Sequence, residues 1–354
     1  MHQFSRRLFL GGMGAALLAA PARATTGHEF YCGLNCSGLE DNPPNAPTRA
    51  MLATYAAQGV RHIRLPGLWE HFQDRPMGPL NDAAVAQYRN VVTTAHALGI
   101  SVLCEPCHNY GGRMIFGTAQ KFGGGILTAQ MFADFWMKFV TAMHDAPGVA
   151  GWDLMNEPSD LDGDTLRAKA AAWVDAAQNA IHAIRNAGNH LPVHVEGYGH
   201  SSAQAWAINN PDLHTLHDPL DRLVFSAHCY LDRDNSGQHY FWDEEVAAGD
   251  QVSNGRMSDN TGVERLQPFI RWLRQYGRQG NIGECGAGQR DTPDRAGDAG
   301  WLAVLGKTIA CCKAEKLPFY YWGTGPDLGV GYPYGLEPRD GVMPPQWTVL
   351  KHYL

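Results

Sequence analysis

The feature that most constrains this chain is an alternation of two kinds of segment, repeated eight times. Short apolar runs lie at Phe30–Asn35, Val60–Leu65, Ile100–Glu105, Val149–Met155, Val193–Gly197, Leu223–His228, Gly280–Cys285 and Phe319–Trp322. Between most of them run amphipathic helical patterns, at Thr48–Gln58, Asp82–Leu98, Ala129–His144, Thr165–Ala187, Gly262–Tyr276 and Asp294–Ala314. An apolar run too short for a helix reads as a strand covered on both faces. Strands that alternate with helices imply crossover connections and a parallel sheet. Leu98-Gly99, Ala187-Gly188 and Tyr276-Gly277 supply helix stop signals at the expected places. Eight strands suit a closed α/β barrel, a single (β/α)8 TIM barrel, better than an open doubly wound sheet. No GxGxxG follows the first run, which weakens a dinucleotide fold. Barrels of this kind commonly run to ~250 residues or more as one domain, and no linker, repeat or appended module interrupts the 354 residues.

Composition closes off other classes. With 44% hydrophobic and 18% charged residues, disorder is excluded as the main state. A net charge of −7 argues against a nucleic-acid partner. Ser5-Arg6-Arg7-Leu8-Phe9-Leu10, an apolar stretch to Ala20 and Ala22-Arg23-Ala24 read as a twin-arginine export signal with a small-x-small cleavage site. That stretch is short of the ~20 apolar residues a membrane span needs. The chain is therefore expected to divide into a signal peptide, 1–24, and a catalytic barrel, 25–354. The mature 330 residues would carry 25 Lys and Arg against 35 Asp and Glu, a net −10. The expected location is periplasmic or secreted, with no membrane association after cleavage. Eight cysteines survive that cleavage, but Cys104-Glu105-Pro106-Cys107 has no second CxxC and no ligand His spacing. Buried small hydrophobes are the expected role, and no metal site is expected.

In such barrels the chemistry gathers at the C-terminal ends of the strands. The residues at or just past those ends are Arg64, His108 and Asn109, Asn156-Glu157, Glu196, His228 and Tyr230, Glu284 and Trp322. Two glutamates carry the argument. Glu157 follows an apolar run, with Pro158 stopping the strand and biasing Glu157 toward an extended backbone. Glu284 stands among glycines, an arrangement that would let a substrate approach the backbone closely. Two opposed carboxylates are what glycosidic hydrolysis needs, one to protonate the leaving oxygen and one to attack the anomeric carbon or activate water. Their tasks demand different protonation states, so their surroundings must separate their pKa values.

The segments Ile63-Arg64-Leu65-Pro66, His108-Asn109-Tyr110, Asn156-Glu157-Pro158, the run His228–His239, Glu284 with its glycines and Tyr321-Trp322-Gly323 resemble, in order, those of glycoside hydrolase family 5. The long run resembles its branch of fungal-type endo-β-1,4-glucanases. The resemblance implies a retaining enzyme with Glu157 as acid/base and Glu284 as nucleophile. It implies Asn156 against the sugar 2-hydroxyl, Arg64 and Tyr230 on the nucleophile, His108 and His228 lining the cleft, and Trp322 as stacking floor. It implies a β-glucan substrate and no cofactor; the chain is expected to act as a monomer. Glu105-Pro106-Cys107 departs from the family pattern, and the Gly-rich loop Tyr110–Gly125 is expected to shape the outer subsites. Trp69 and Trp206 are candidates for outer sugar platforms, Trp152 for the core and Glu105 for the barrel interior. Glu196 is either a substrate contact or the partner of a histidine. A β-mannanase, or a hydrolase of another β-linked exopolysaccharide, would use the same machinery. A non-catalytic carbohydrate-binding barrel is the reading of another class, and the intact Glu157 and Glu284 speak against it.

Overall fold

The computed structural model describes residues 29–288, 299–326, 328, 332–338 and 341–354. The export signal at 1–24 lies outside the described residues. Eight parallel strands close a barrel: β1 (Cys32–Cys36), β2 (His62–Pro66), β3 (Ser101–Glu105), β6 (Val149–Asp153), β7 (Val193–Glu196), β8 (Leu223–His228), β9 (Gln279–Cys285) and β10 (Phe319–Thr324). The remaining two, β4 (Gly112–Ile115) and β5 (Thr118–Lys121), pair antiparallel outside it. All eight apolar runs became barrel strands. Closure is made where β1 pairs with β10, Gly33 opposite Tyr320 and Cys36 opposite Thr324. Gly33 is required there, because a Cβ at that position would sit 2.7 Å from the His62 carbonyl oxygen and 2.9 Å from the Tyr320 ring.

The helices form where sequence patterning and end signals agree. Thr48, Thr128 and Thr165 each cap a helix by accepting the N–H three residues on, and Asn81 caps the helix Asp82–Ala97. The helices Ala129–Ala142 and Leu166–Asn186 turn Phe132, Phe135, Trp136, Trp173 and Ile181 onto the barrel wall. There Trp152 packs edge-on against Trp136 and Phe139, as core.

Two of the proposed sugar platforms are instead core. Trp69 is fully buried between Phe132 and Phe135 beneath the Arg113 guanidinium, and its Nε1 donates to Gln73 Oε1 at 3.1 Å. Trp206 is fully buried against Phe269 and Trp272. Both sit near loops in sequence, but large flat apolar side chains are drawn under those loops. The Gly-rich segment after His108 is not plain loop: it folds into the β4–β5 hairpin, turned at Phe116-Gly117, both with positive φ. The eight cysteines form no disulfide; seven are buried and Cys311 is half-buried. Among the described residues no helix is long and apolar enough to cross a membrane.

Gly33→Ala should overpack the β1–β10 seam and cost about 1–3 kcal/mol. Urea unfolding followed by tryptophan fluorescence should show an earlier midpoint with an unchanged slope; an unmoved midpoint would show that the seam yields freely.

Candidate active site

The C-terminal mouth of the barrel collects the residues that end its strands. Arg64, at the centre, is fully buried and all five of its N–H groups are spent. Nε donates to Asp153 Oδ2 at 2.8 Å. Nη1 donates to Asn35 Oδ1 at 3.1 Å and Glu284 Oε1 at 2.9 Å, and Nη2 to Asn156 Oδ1 at 3.0 Å and Glu196 Oε1 at 2.7 Å. Glu105 Oε2 lies 3.5 Å from the same Nη2. The other Glu284 oxygen accepts the Tyr230 hydroxyl at 2.7 Å. Tyr230 is braced from behind, since the buried Arg265 donates to the carbonyls of Tyr230 and Asp232, each at 2.7 Å.

Glu157 faces Glu284 across the mouth. Oxygens of Glu157 and Glu284 and a nitrogen of His228 all lie within 4.8 Å of one another. His228 Nδ1 lies 2.7 Å from Glu157 Oε1, and His200 Nδ1 lies 3.3 Å from Oε2. The expectation of an extended backbone at Glu157 is overturned: its φ is +45°, in the left-handed region. Pro158 does disfavour the right-handed helical region here. The Glu157 N–H donates to Glu196 Oε2 at 2.6 Å, which fixes the peptide plane leading into this left-handed residue.

The glycines around Glu284 also serve a different purpose from the one expected. A Cβ on Gly283 would sit 2.4 Å from Ser226 Oγ and 3.1 Å from His228 Nε2, and one on Gly286 2.7 Å from the Tyr334 ring. They make room for protein side chains rather than for substrate.

Asn156 is fixed by Arg64 and lies 3.2 Å, through Nδ2, from His108 Nε2. His108 contacts Glu105 at 3.0 Å, and its ring lies parallel to the half-buried Trp322 at 5.9 Å. Two basins meet at His108, Tyr110 and Trp322. One, of about 620 Å³, holds Glu157 and Glu284 and runs past His200 to the loop after Asp232. The other, of about 680 Å³, is walled by the β4–β5 hairpin, through Met114 and Lys121, and by Glu40 and Glu70. The buried Asp232 shapes the first basin's far wall, accepting the N–H groups of Gly237, Gln238 and His239 and the Ser236 hydroxyl. All eight residues named from the sequence thus converge on one cleft. Three were not named. Asn35 and Asp153 fall to the same strand-end rule, applied to the first strand and one turn lower on the fourth; His200 carries no periodic signal in its loop.

Charge is unevenly distributed here. Burial pushes the Glu105 carboxyl up to about 7 against the pull of Arg64 and His108, and burial raises Asp153 and Glu196 as well. Burial would lower His108, but the Glu105 carboxylate outweighs it and lifts it to about 9. Burial would raise Glu157, yet the hydrogen bonds from His200 and His228 hold it down at about 2. Glu284 is raised by burial, with His228 and Arg64 opposing.

The consequence for stability has a definite sign. Glu105 and His108 keep their protons to higher pH when folded than the 4.5 and 6.5 of the free groups. Their contributions are therefore lost as pH rises, between about 4.5 and 7 for Glu105 and about 6.5 and 9 for His108. Glu157 acts oppositely: its contribution is present above about 4.5 and lost as pH falls toward 2. Thermal melts should peak near pH 4.5–5, and Glu105→Gln should flatten the fall between pH 4.5 and 7. A melting temperature that climbs steadily from pH 5 to 8 would contradict this assignment.

The family model for cellulase (glycosyl hydrolase family 5) matches residues 25–327. Endo-beta-1,4-glucanase B of Aspergillus niger is 28% identical over 319 residues, 90% of this chain and 84% of its own. Among solved structures, a Pseudomonas stutzeri endoglucanase in complex with cellobiose is similar at TM-score 0.78 and 29% identity, over 91% of this chain and 92% of its own. XacCel5A in complex with cellopentaose is similar at TM-score 0.77 and 27% identity, over 92% and 99%.

Proposed function

The chain belongs to the cellulase family, glycosyl hydrolase family 5, and from that premise we propose that it is an exported, retaining endo-β-1,4-glucanase. The observation that carries the mechanism is the opposition of Glu157 and Glu284 with carboxylate oxygens within 4.8 Å. Such close approach of the nearest oxygens favours the narrow spacing of retaining sites, whose carboxyl groups stand ~5–5.5 Å apart, over the ~6.5–9.5 Å of inverting ones. A cleft open on both sides of Trp322 supports attack within a chain rather than at its end.

Glu284 is the nucleophile. Arg64 and Tyr230 donate one hydrogen bond to each of its oxygens, which favours the anion and aims it. Glu157 is the acid/base, and two imidazoles hold it ionised. Of these, the His200 side chain is 68% exposed and His228 only 2%. A sugar ring entering on this side displaces His200. Losing that contact removes one of the two hydrogen bonds that hold Glu157 ionised and so raises its affinity for the proton it must deliver. Glu157 then protonates the departing glycosidic oxygen as Glu284 attacks the anomeric carbon. In the second step Glu157 removes a proton from water, which attacks the same carbon and frees Glu284. Asn156, fixed by Arg64, presents its amide to the 2-hydroxyl, His108 and His228 line the reacting subsite, and Trp322 gives the sugar a flat, electron-rich face.

The mature chain, residues 25–354, should release reducing ends from carboxymethylcellulose and mixed-linkage glucan, with initial products of retained anomeric configuration. Glu284→Gln should lower the rate by about 10³-fold or more. Activity on mannan alone would keep the mechanism and replace the substrate; inverted products would overturn the mechanism; a folded protein inactive on every β-glycan would point to a binding role.

A further inference from the structure

The buried Glu196 has no part in the two-carboxylate scheme, yet it touches three residues of the site, Arg64, His228 and Glu157. It ends β7, is fully buried, and its own carbonyl is fixed by Trp173 Nε1 at 2.7 Å. One carboxylate oxygen accepts from Arg64 Nη2 at 2.7 Å and lies 3.0 Å from His228 Nε2. The other accepts the backbone N–H of Glu157 at 2.6 Å. The opposite edge of His228 lies 2.7 Å from the Glu157 carboxylate. Glu196 therefore grips Glu157 twice, through its main chain and, by way of one imidazole, through its side chain.

We propose that Glu196 is the positioning residue of the acid/base: it holds Glu157 in its left-handed turn and fixes the His228 ring against the carboxylate that transfers the proton. The role rests on the reading of Glu157 given above. Left-handed backbone is uncommon outside glycine and asparagine, so a residue held there needs a partner to keep it there. The partner is an ionisable carboxylate because three donors converge on it and two oxygens must serve them. An amide cannot replace it: either way round, the NH2 of a glutamine would face a donor. The role carries no proton to the substrate; it sets where the proton-carrying group stands and which edge of His228 meets it.

Removing Glu196 leaves the Glu157 N–H and one Arg64 N–H without their acceptor, a cost that the rest of the site offsets in part. Arg64 keeps Asp153, Glu284, Asn156 and Asn35, and removing one of four carboxylates around a single guanidinium relieves repulsion among the rest.

The test is Glu196→Gln, with Glu196→Met as a second variant that retains the volume and asks for no partner. Both are assayed on a soluble glucan and on 2,4-dinitrophenyl β-cellobioside, whose leaving group departs without a proton. On the glucan, kcat should fall by about 10²-fold or more, the scale of general acid catalysis, with KM within about twofold. For the dinitrophenyl substrate, kcat/KM should fall less than about tenfold, and azide, which needs no base, should accelerate turnover and yield β-cellobiosyl azide. Both variants should stay folded, with unchanged far-ultraviolet circular dichroism and a melting temperature a few degrees below wild type as buried donors lose their acceptor. Equal losses on both substrates with no azide effect, or an unchanged kcat on the glucan, would overturn the role while leaving the glucanase reading intact. A wild-type protein inactive on both substrates would overturn that reading and this role with it.

Discussion

The rest of the site depends on one buried guanidinium. A charge sealed from water is tolerable only if fully hydrogen-bonded and compensated, and Arg64 is both, with five donors given to five side chains from five different elements. Those elements are β1, the ends of β6, β7 and β9, and the turn after β6. The guanidinium therefore fixes the relative positions of strand ends that the barrel ladder alone would leave free to fray. It overcompensates, since Glu105, Asp153, Glu196 and Glu284 all lie within 3.5 Å of it. Excess negative charge in a dry site is relieved by protons. This is why burial raises several of these carboxyls and why two histidines are drawn in beside them.

The surplus links groups that perform separate tasks. Glu284 shares Arg64 with Glu196, Glu196 shares His228 with Glu157, and His228 Nδ1 lies 3.6 Å from Glu284. The nucleophile and the acid/base are thus ends of one chain of hydrogen bonds, and a change of charge at one end is felt at the other. The outer cleft is built on a looser principle. Its hairpin wall is tied by Arg113 over Trp69 and by Glu70 at the Met114 N–H, and the loop after Asp232 by that carboxylate, by Arg233 on Glu245 and by the Tyr332 and Tyr334 hydroxyls. Such segments can change in sequence without disturbing the charged centre, which is where variation in glycan preference would reside.

Barrel architecture was legible before any coordinates, because strand and helix periods are local properties of hydrophobic spacing. Once the barrel is inferred, its geometry aims every strand end at one mouth, so Arg64, Asn156, Glu157, His228, Tyr230, Glu284 and Trp322 could be named as neighbours though far apart in the chain. The same rule failed for Trp69 and Trp206, because proximity to a loop says nothing about which side of the loop a ring lies on. It failed too for the Glu157 backbone: Pro158 speaks only for its immediate neighbour, while the carboxylate that accepts the Glu157 N–H stands 39 residues away.

The sequence by itself determined the order of eight strands with helices between most of them, the helix stops, the two facing glutamates and the family they belong to. Each of these is written in residue type and spacing. Only the tertiary structure decided who partners whom: that Glu196 serves Glu157 and His228, that His200 reaches the acid/base from a loop, and that the glycines beside Glu284 admit protein rather than sugar. The physical reason is that hydrogen bonds and close packing act over about 3–4 Å between residues the chain separates by tens or hundreds of positions. A one-dimensional pattern records that such a residue is polar or small, and the fold alone records what stands opposite it.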